Sequence, residues 1–177
     1  MDFKQLVQHI VEDTKVDLTQ EFDRNFERKA FFNKKWKGTK HANSRGSLLN
    51  RSGKLRRSIN KPNANETTIN WRSNLAYASM QNEGGELVVT KKMKSFFWAM
   101  YYKSAGAVTK GKTERNRKLT GEAAKWKAMA LMPVGHKMEI EQRQFIGWHP
   151  EVDIRIKKIV DYNLIELNKS IAKKLKP

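Results

Sequence analysis

Cysteine is absent from the 177-residue chain, which excludes disulfides and thiolate metal sites. Histidine is almost as scarce. His9, His41, His136 and His149 stand apart with no H-x-H or H-x-x-x-H pair, so neither a metal centre nor a cofactor is expected. Acidic residues are few as well: 18 Asp and Glu face 36 Lys and Arg, for a formal net charge of +18. A field of that size suits a polyanion or an acidic protein partner, while a plain lysine-rich surface is the competing reading, because charge alone fixes no site. No apolar run approaches the ~20 residues that a membrane helix requires. Met1-Asp2-Phe3-Lys4 is not the basic-then-apolar opening of a secretion signal, so synthesis and folding in a cytoplasm are expected. Internal repeats and long Pro, Ser or Gly linkers are missing too. A single domain over residues 1–177 follows, large enough to bury a core without staples.

Catalytic signatures are also lacking. There is no G-x-x-x-x-G-K-[ST] phosphate loop, no G-x-G-x-x-G fingerprint and no G-x-S-x-G elbow. Glu139-x-Glu141 is the nearest approach to a nuclease-like acidic pair, but no lysine follows, and a solvent-facing strand edge accounts for it. Asp13, Asp17, Glu21 and Arg24 read as the solvated side of the first helix. The expected function is therefore non-enzymatic.

The positive signals begin with residues 2–32, a long amphipathic helix. Phe3, Leu6, Val7, Ile10, Val11 and Thr14 follow helical spacing, and Leu18, Phe22 and Phe26 continue it at four-residue steps. Asp2 is placed to cap it, and residues 13–17 are weak enough to kink it. Residues 33–47 form a basic break around Trp36. Those cations and that ring could grip a phosphate backbone, or Trp36 folds back on the core; the second is favoured because one aromatic makes no stacking platform.

Ser52-Gly53 then marks a turn or helix start beside a basic cluster of Lys54, Arg56 and Arg57. Leu55–Lys61 and Thr67–Arg72 suggest a hairpin across Pro62–Asn65. A short helix over 74–85 ends at Gly84-Gly85, and Glu86–Thr90 is a strand. Residues 91–111 place Met93, Phe96, Phe97, Met100 and Tyr101 at helical spacing, with Trp98 and Tyr102 on a neighbouring face. Lys110, Lys112, Arg115, Arg117 and Lys118 follow as an exposed, mobile basic loop. A helix over Leu119–Met132, capped by Thr120, a strand at Met138–Glu141 and an apolar corner at Arg143–Pro150 lead to the last helix. Asp153, or the residues just before it, caps that helix, and Ile156, Ile159, Val160, Asn163, Leu164, Leu167, Ile171 and Leu175 line one face.

Three segments in fixed order carry a resemblance. Leu49-x-x-Ser52-Gly53-x-Leu55-x-x-Ser58-Ile59 is similar to L-x-x-S-G-x-L-x-x-S-I. Tyr77 through Gly84-Gly85 is similar to Y-A-x-x-H-Q-x-G-G, although Gln81-Asn82 stands where His-Gln is usual. Arg143-Gln144-Phe145-Ile146-Gly147 is similar to R-x-F-L-G. Together they resemble the phage virion morphogenesis, or tail completion, family over roughly residues 1–170.

The resemblance implies a structural protein of the virion, assembled in the host cytoplasm, that completes the tail or joins it to the head. It implies a ring of copies of the chain, by analogy a hexamer, bound to neighbouring tail or connector proteins. The basic surface would meet DNA in the tail lumen by nonspecific charge, with no membrane partner. The alternative class is a sequence-nonspecific nucleic-acid-binding protein acting through the basic arm around Trp36.

The expected fold is α+β. An antiparallel sheet of about four strands packs against long N- and C-terminal helices, with residues 93–132 as a helical insertion carrying the basic loop. Leu49, Ser52, Gly53, Leu55, Ile59, Tyr77, Gly84, Gly85, Arg143, Phe145 and Gly147 are the motif packing positions, with Ile146 and Trp148 added to the core. Lys54, Arg56, Arg57, Lys110, Lys112, Arg115, Arg117 and Lys118 are the candidate interface or DNA-path contacts.

Overall fold

Asp2 opens the first helix as its side chain and spacing suggest. It accepts a hydrogen bond from the Gln5 N–H (2.7 Å), and Gln5 Oε1 accepts one from the Asp2 N–H (2.9 Å), a reciprocal capping box. The computed structural model describes residues 2–38 and 47–174. In chain order the elements are α1 (Phe3–Arg28), β1 (Ala30–Phe31), β2 (Lys34–Lys35), α2 (Lys54–Ile59), β3 (Asn63–Ala64), β4 (Ile69–Asn70), α3 (Ala78–Glu83), β5 (Gly85–Val88), α4 (Lys91–Gly106), α5 (Glu114–Leu131), β6 (Lys137–Ile140) and α6 (Pro150–Lys174). They fall into two units, Met1–Gly84 with Glu141–Pro177, and Gly85–Ile140. The expected insertion at 93–132 lies inside the second. Most of the expected basic break at 33–47, with His41, lies outside the described residues, as does Leu175.

The chain is a mixture of helix and sheet, roughly α+β, but the expected four-stranded sheet does not form among the described residues. The strands are two to four residues long and pair as three separate antiparallel ladders, β1–β2, β3–β4 and β5–β6. The expected strand at Leu55–Lys61 is the helix α2. Leu55 and Ile59 are four residues apart, so a helix puts both into the core, whereas a strand would place the intervening Arg57 there with them. The real hairpin is confined to Asn63–Asn70, with the Thr68 and Thr67 N–H groups donating to Asn65 Oδ1.

In the first unit α1 runs without the expected kink and stops at Arg28, because Lys29 turns left-handed at φ 55°. The chain then doubles back through β1 and β2. Phe22, Phe26, Phe31, Phe32 and Trp36 are buried together with Leu55, Ile59 and Phe145. Phe26 meets the Phe145 ring at 5.3 Å and the Trp36 ring at 5.8 Å. Trp36 is therefore a core residue, its Nε1 donating to the Gln144 carbonyl at 2.6 Å.

Helices α1 and α6 pack along a seam that is partly ionic. Arg155 Nη1 reaches Asp17 at 3.0 Å and its Nη2 reaches Glu21 at 2.8 Å, while Asn163 Nδ2 donates to Asp13 at 2.8 Å. The acids read as the solvated side of α1 thus face α6. On α6 the inward arc holds Val152, Ile156, Ile159, Val160, Asn163 and Leu167; Leu164 and Ile171 fall outside it and are exposed. The helix begins at Pro150, so Asp153 sits in the first turn and accepts from Trp148 Nε1 (3.0 Å) instead of capping.

Glu21 is 1 % exposed and bonded by Arg28, Arg24 (3.3 Å) and Arg155. Burial alone would push its carboxyl up. The hydrogen bond from Arg28, together with the charges of Arg155 and Arg28, outweighs burial and holds the pKa below its ordinary value. Removing one partner of a buried pair costs about 3–5 kcal/mol. Arg24 and Arg28 stay half exposed and rehydrate, so Glu21→Gln is expected to cost about 2 kcal/mol at pH 7. A depressed carboxylate contributes fully above its unfolded pKa, and the contribution disappears as pH falls through the folded value. The gap in urea midpoint between wild type and Glu21→Gln should accordingly narrow progressively as pH falls below the ordinary glutamate value of about 4.3; a gap that does not narrow on acidification contradicts this assignment.

In the second unit β5 and β6 pair from Gly85↔Ile140 to Val88↔Lys137, and α4 packs against α5. Of the expected stripe on α4 only Phe97 is buried, and it turns toward α5, the helix that packs against α4. Helix α5 begins at Glu114, five residues before the expected Leu119. Thr113, not Thr120, is the cap, accepting from the Asn116 N–H at 3.2 Å, and Glu114 occupies the first turn. Arg115, Arg117 and Lys118 are therefore helical. Lys110 and Lys112 lie in the α4–α5 connection, which the buried Asn116 ties down by donating to the Thr109 (2.6 Å) and Gly111 (2.7 Å) carbonyls. No helix among the described residues is long and apolar enough to cross a membrane.

Candidate functional site

Three remote segments of the first unit line one cleft of about 530 Å³. Leu49, Ser52, Gly53 and Leu55 come from the first, Tyr77 and Gln81 from the second and Arg143 from the third. Leu48, Arg51 and Lys54 complete the wall.

The first wall is a tight turn followed by α2. Ser47 and Asn50 exchange backbone hydrogen bonds (3.2 and 3.1 Å), which forces Leu49 to φ 57°, a conformation that a side chain rarely accepts. Strain of this kind persists only where the surroundings over-determine it, and it gathers at functional surfaces. Gly53 starts α2 at φ 69°, and a Cβ there would lie 2.6 Å from Arg57 Nη1. The Arg57 guanidinium folds over this glycine and donates to the Ser52 carbonyl at 2.9 Å. Leu55 and Ile59 anchor the other side of α2 in the core.

The second and third segments are bonded to each other. The Gln81 carbonyl accepts the Arg143 N–H at 2.8 Å, and Asn82 Oδ1 accepts the N–H groups of Phe145 (2.9 Å) and Ile146 (3.2 Å). Gln81-Asn82, the pair that departs from the resembled pattern, thus supplies the ties by its own means. Arg143 is buried; its Nε donates to the Lys37 carbonyl (3.1 Å) and its Nη2 to the Gly38 carbonyl (3.4 Å). Gly147 turns the chain at φ 130°, with Gln144 Nε2 2.8 Å from where a Cβ would stand. Gly84 ends α3 at φ 75°, and Gly85 opens β5 in the other unit.

The remaining sequence candidates divide. Phe145 is fully buried and Ile146 half-buried, but Tyr77 is 47 % exposed at the cleft mouth and Trp148 is 68 % exposed, so neither belongs to the core. Both were expected to pack inside, yet Tyr77 stands at the start of α3 and Trp148 two residues before α6, where its Nε1 donates to Asp153 at 3.0 Å. Among the candidate cations, Lys54 and Arg57 are exposed at the cleft side of α2. Arg56 is engaged elsewhere. Its Nε donates to Asp23 at 2.6 Å and its Nη2 reaches Asp23 and, at 2.7 Å, Glu27, binding α2 to α1. The hydrogen bond from Arg56 holds the Asp23 carboxyl below its usual range, and the same contact raises Arg56. Arg56 is thus an internal tie and not a free contact. Lys110, Lys112, Arg115, Arg117 and Lys118 all lie on the other unit, where Lys118 pairs with Glu114 at 3.1 Å.

Sequence reasoning missed Arg51 and Gln81 as cleft residues. Their membership of two motif segments was the signal that could have found them. The described lining holds cations, polar groups and apolar groups and no carboxylate. It can receive an apolar side chain flanked by acidic groups. No group of three or more His, Asp or Glu among the described residues could hold a metal ion. A scan against protein-family models, a search of curated proteins and a search of solved structures each return no match.

Proposed function

We propose that the chain is a non-catalytic structural protein of phage assembly, which completes the tail or joins it to the head as a ring of identical copies. One observation carries this reading. The three motif segments on which the family resemblance rests are 18 or more residues apart in sequence, yet residues of all three line one cleft. Motifs kept only for packing would be dispersed through the core. These instead build a half-apolar, cationic cleft with a strained leucine at its rim, the character of a surface that takes a segment of a neighbouring subunit. In this reading Tyr77 is a contact, which is why it is exposed in the single chain.

The competing nucleic-acid reading placed its grip around Trp36. That ring is in the core, so the arm has lost its only stacking group. Light scattering with and without duplex DNA, at low and high salt, separates the two. The assembly reading expects a mass that is a multiple of 20.6 kDa without DNA and that keeps this multiple at high salt, where charge-held duplex is released. A monomer that takes up duplex at low salt and releases it at high salt overturns it.

A further inference from the structure

The second unit carries twelve lysines and arginines against four acidic residues, and it also exposes an aromatic plate. On α4, Trp98 and Tyr102 stack at 5.9 Å with their planes 27° apart. Tyr101 touches both, at 5.7 and 5.1 Å, and Lys127 of α5 lies 6.0 Å above the Tyr101 ring. Tyr102 is 66 % exposed. On the helical wheel Lys94 and Lys91 share this flank, one and two turns before Trp98. A packing stripe would turn these rings toward α5. Phe97 does that against Trp126, while Trp98 and Tyr101 stay half-buried and Tyr102 carries the ring cluster to the outward face.

We propose that this α4 face binds single-stranded nucleic acid without sequence preference. Flat rings give bases a stacking surface, and the flanking ammonium groups meet the phosphates. Charge selects among occupants. A second copy of the same face would oppose like charge, and an acidic peptide would use the lysines but leave the contiguous π-surface without a partner. Only an occupant that is both polyanionic and aromatic uses all of it. The inference is independent of the assembly reading, because it concerns the other unit and is tested with a different ligand.

The test is fluorescence anisotropy of a labelled oligo-dT and of a labelled duplex of equal length, titrated with the full chain at two salt concentrations. Wild type should prefer the single strand. Tyr102→Ala should weaken oligo-dT binding about tenfold and leave duplex binding unchanged, because an exposed ring contributes to stacking and not to the fold. Lys127→Gln should weaken both by less and lower the salt slope. Equal binding of single strand and duplex, or oligo-dT affinity that survives Tyr102→Ala, would overturn the proposal and leave only diffuse charge attraction. An acidic polypeptide such as poly-glutamate competing as well as oligo-dT does would overturn it in favour of a protein partner.

Discussion

Phe145→Ala is expected to cost about 3–5 kcal/mol, the range for emptying a fully buried aromatic site. Phe145 has no exposed surface, and its ring lies against Phe26, which in turn meets Trp36. The third motif, helix α1 and the segment after β2 therefore share one contact. The backbone of Phe145 is held independently of the ring, by Asn82 at its N–H and Asn25 at its carbonyl. That rigidity keeps the site from collapsing around the cavity and pushes the cost toward the upper end. Urea denaturation followed by far-ultraviolet circular dichroism measures it. Trp148→Ala is the contrast: a larger ring, three residues on, mostly exposed and holding only Asp153 (3.0 Å), should cost under about 1 kcal/mol. Equal losses at the two positions would mean that the core is misassigned.

Asn25→Leu is expected to cost about as much, by a different route. Asn25 is fully buried in α1. Its Nδ2 donates to the Phe145 carbonyl at 3.1 Å, and its Oδ1 accepts the Phe32 N–H and Arg28 Nη2, both at 3.0 Å. Leucine is nearly isosteric, so packing changes little. The Phe32 N–H and the Phe145 carbonyl are left without partners among aromatic rings, at about 1–3 kcal/mol each. Phe32 also stands at φ 51°, and this bond holds it there. The total is about 2–6 kcal/mol, read from the same urea curves. Hydrogen exchange adds a specific signature: the Phe32 amide should lose protection in the variant while the amides of α6 keep theirs. Unchanged protection at Phe32 would contradict the role given to Asn25.

These two residues mark where the sequence was and was not legible. The long helices α1 and α6, the aromatic α4 and the short α3 ending at Gly84 could be read from apolar spacing and glycine, because helical periodicity is a repeated signal. Glu21 and Asn25 were missed because a polar residue is read as solvent-facing. Their positions said otherwise: Thr14, Leu18, Glu21, Phe22, Asn25 and Phe26 form one unbroken i, i+4, i+7, i+8 arc, and the two polar members lie inside it. Leu55 and Ile59 were legible as core but not as helix, since a six-residue element offers fewer than two turns of pattern. The start of α5 was hidden by its cations, which resemble a solvated loop until Thr113 is recognised as the cap and Glu114 as the i, i+4 partner of Lys118. The cleft was legible only as three motifs. Their convergence depends on hydrogen bonds such as Gln81 to Arg143 that no local pattern encodes.

The account turns on the cleft being a contact between copies of the chain, and Tyr77 is its most exposed aromatic group. Tyr77→Glu places a carboxylate at the mouth without touching the core, so the fold should survive. The direct measurement is solution mass by light scattering, for wild type and Tyr77→Glu, across a concentration series at high salt where charge-driven association is screened. The account predicts a wild-type mass that is a multiple of 20.6 kDa and a variant that falls to 20.6 kDa with an unchanged circular dichroism spectrum. Wild type that stays at 20.6 kDa at every concentration, or a Tyr77→Glu variant that keeps the wild-type multiple, would contradict it.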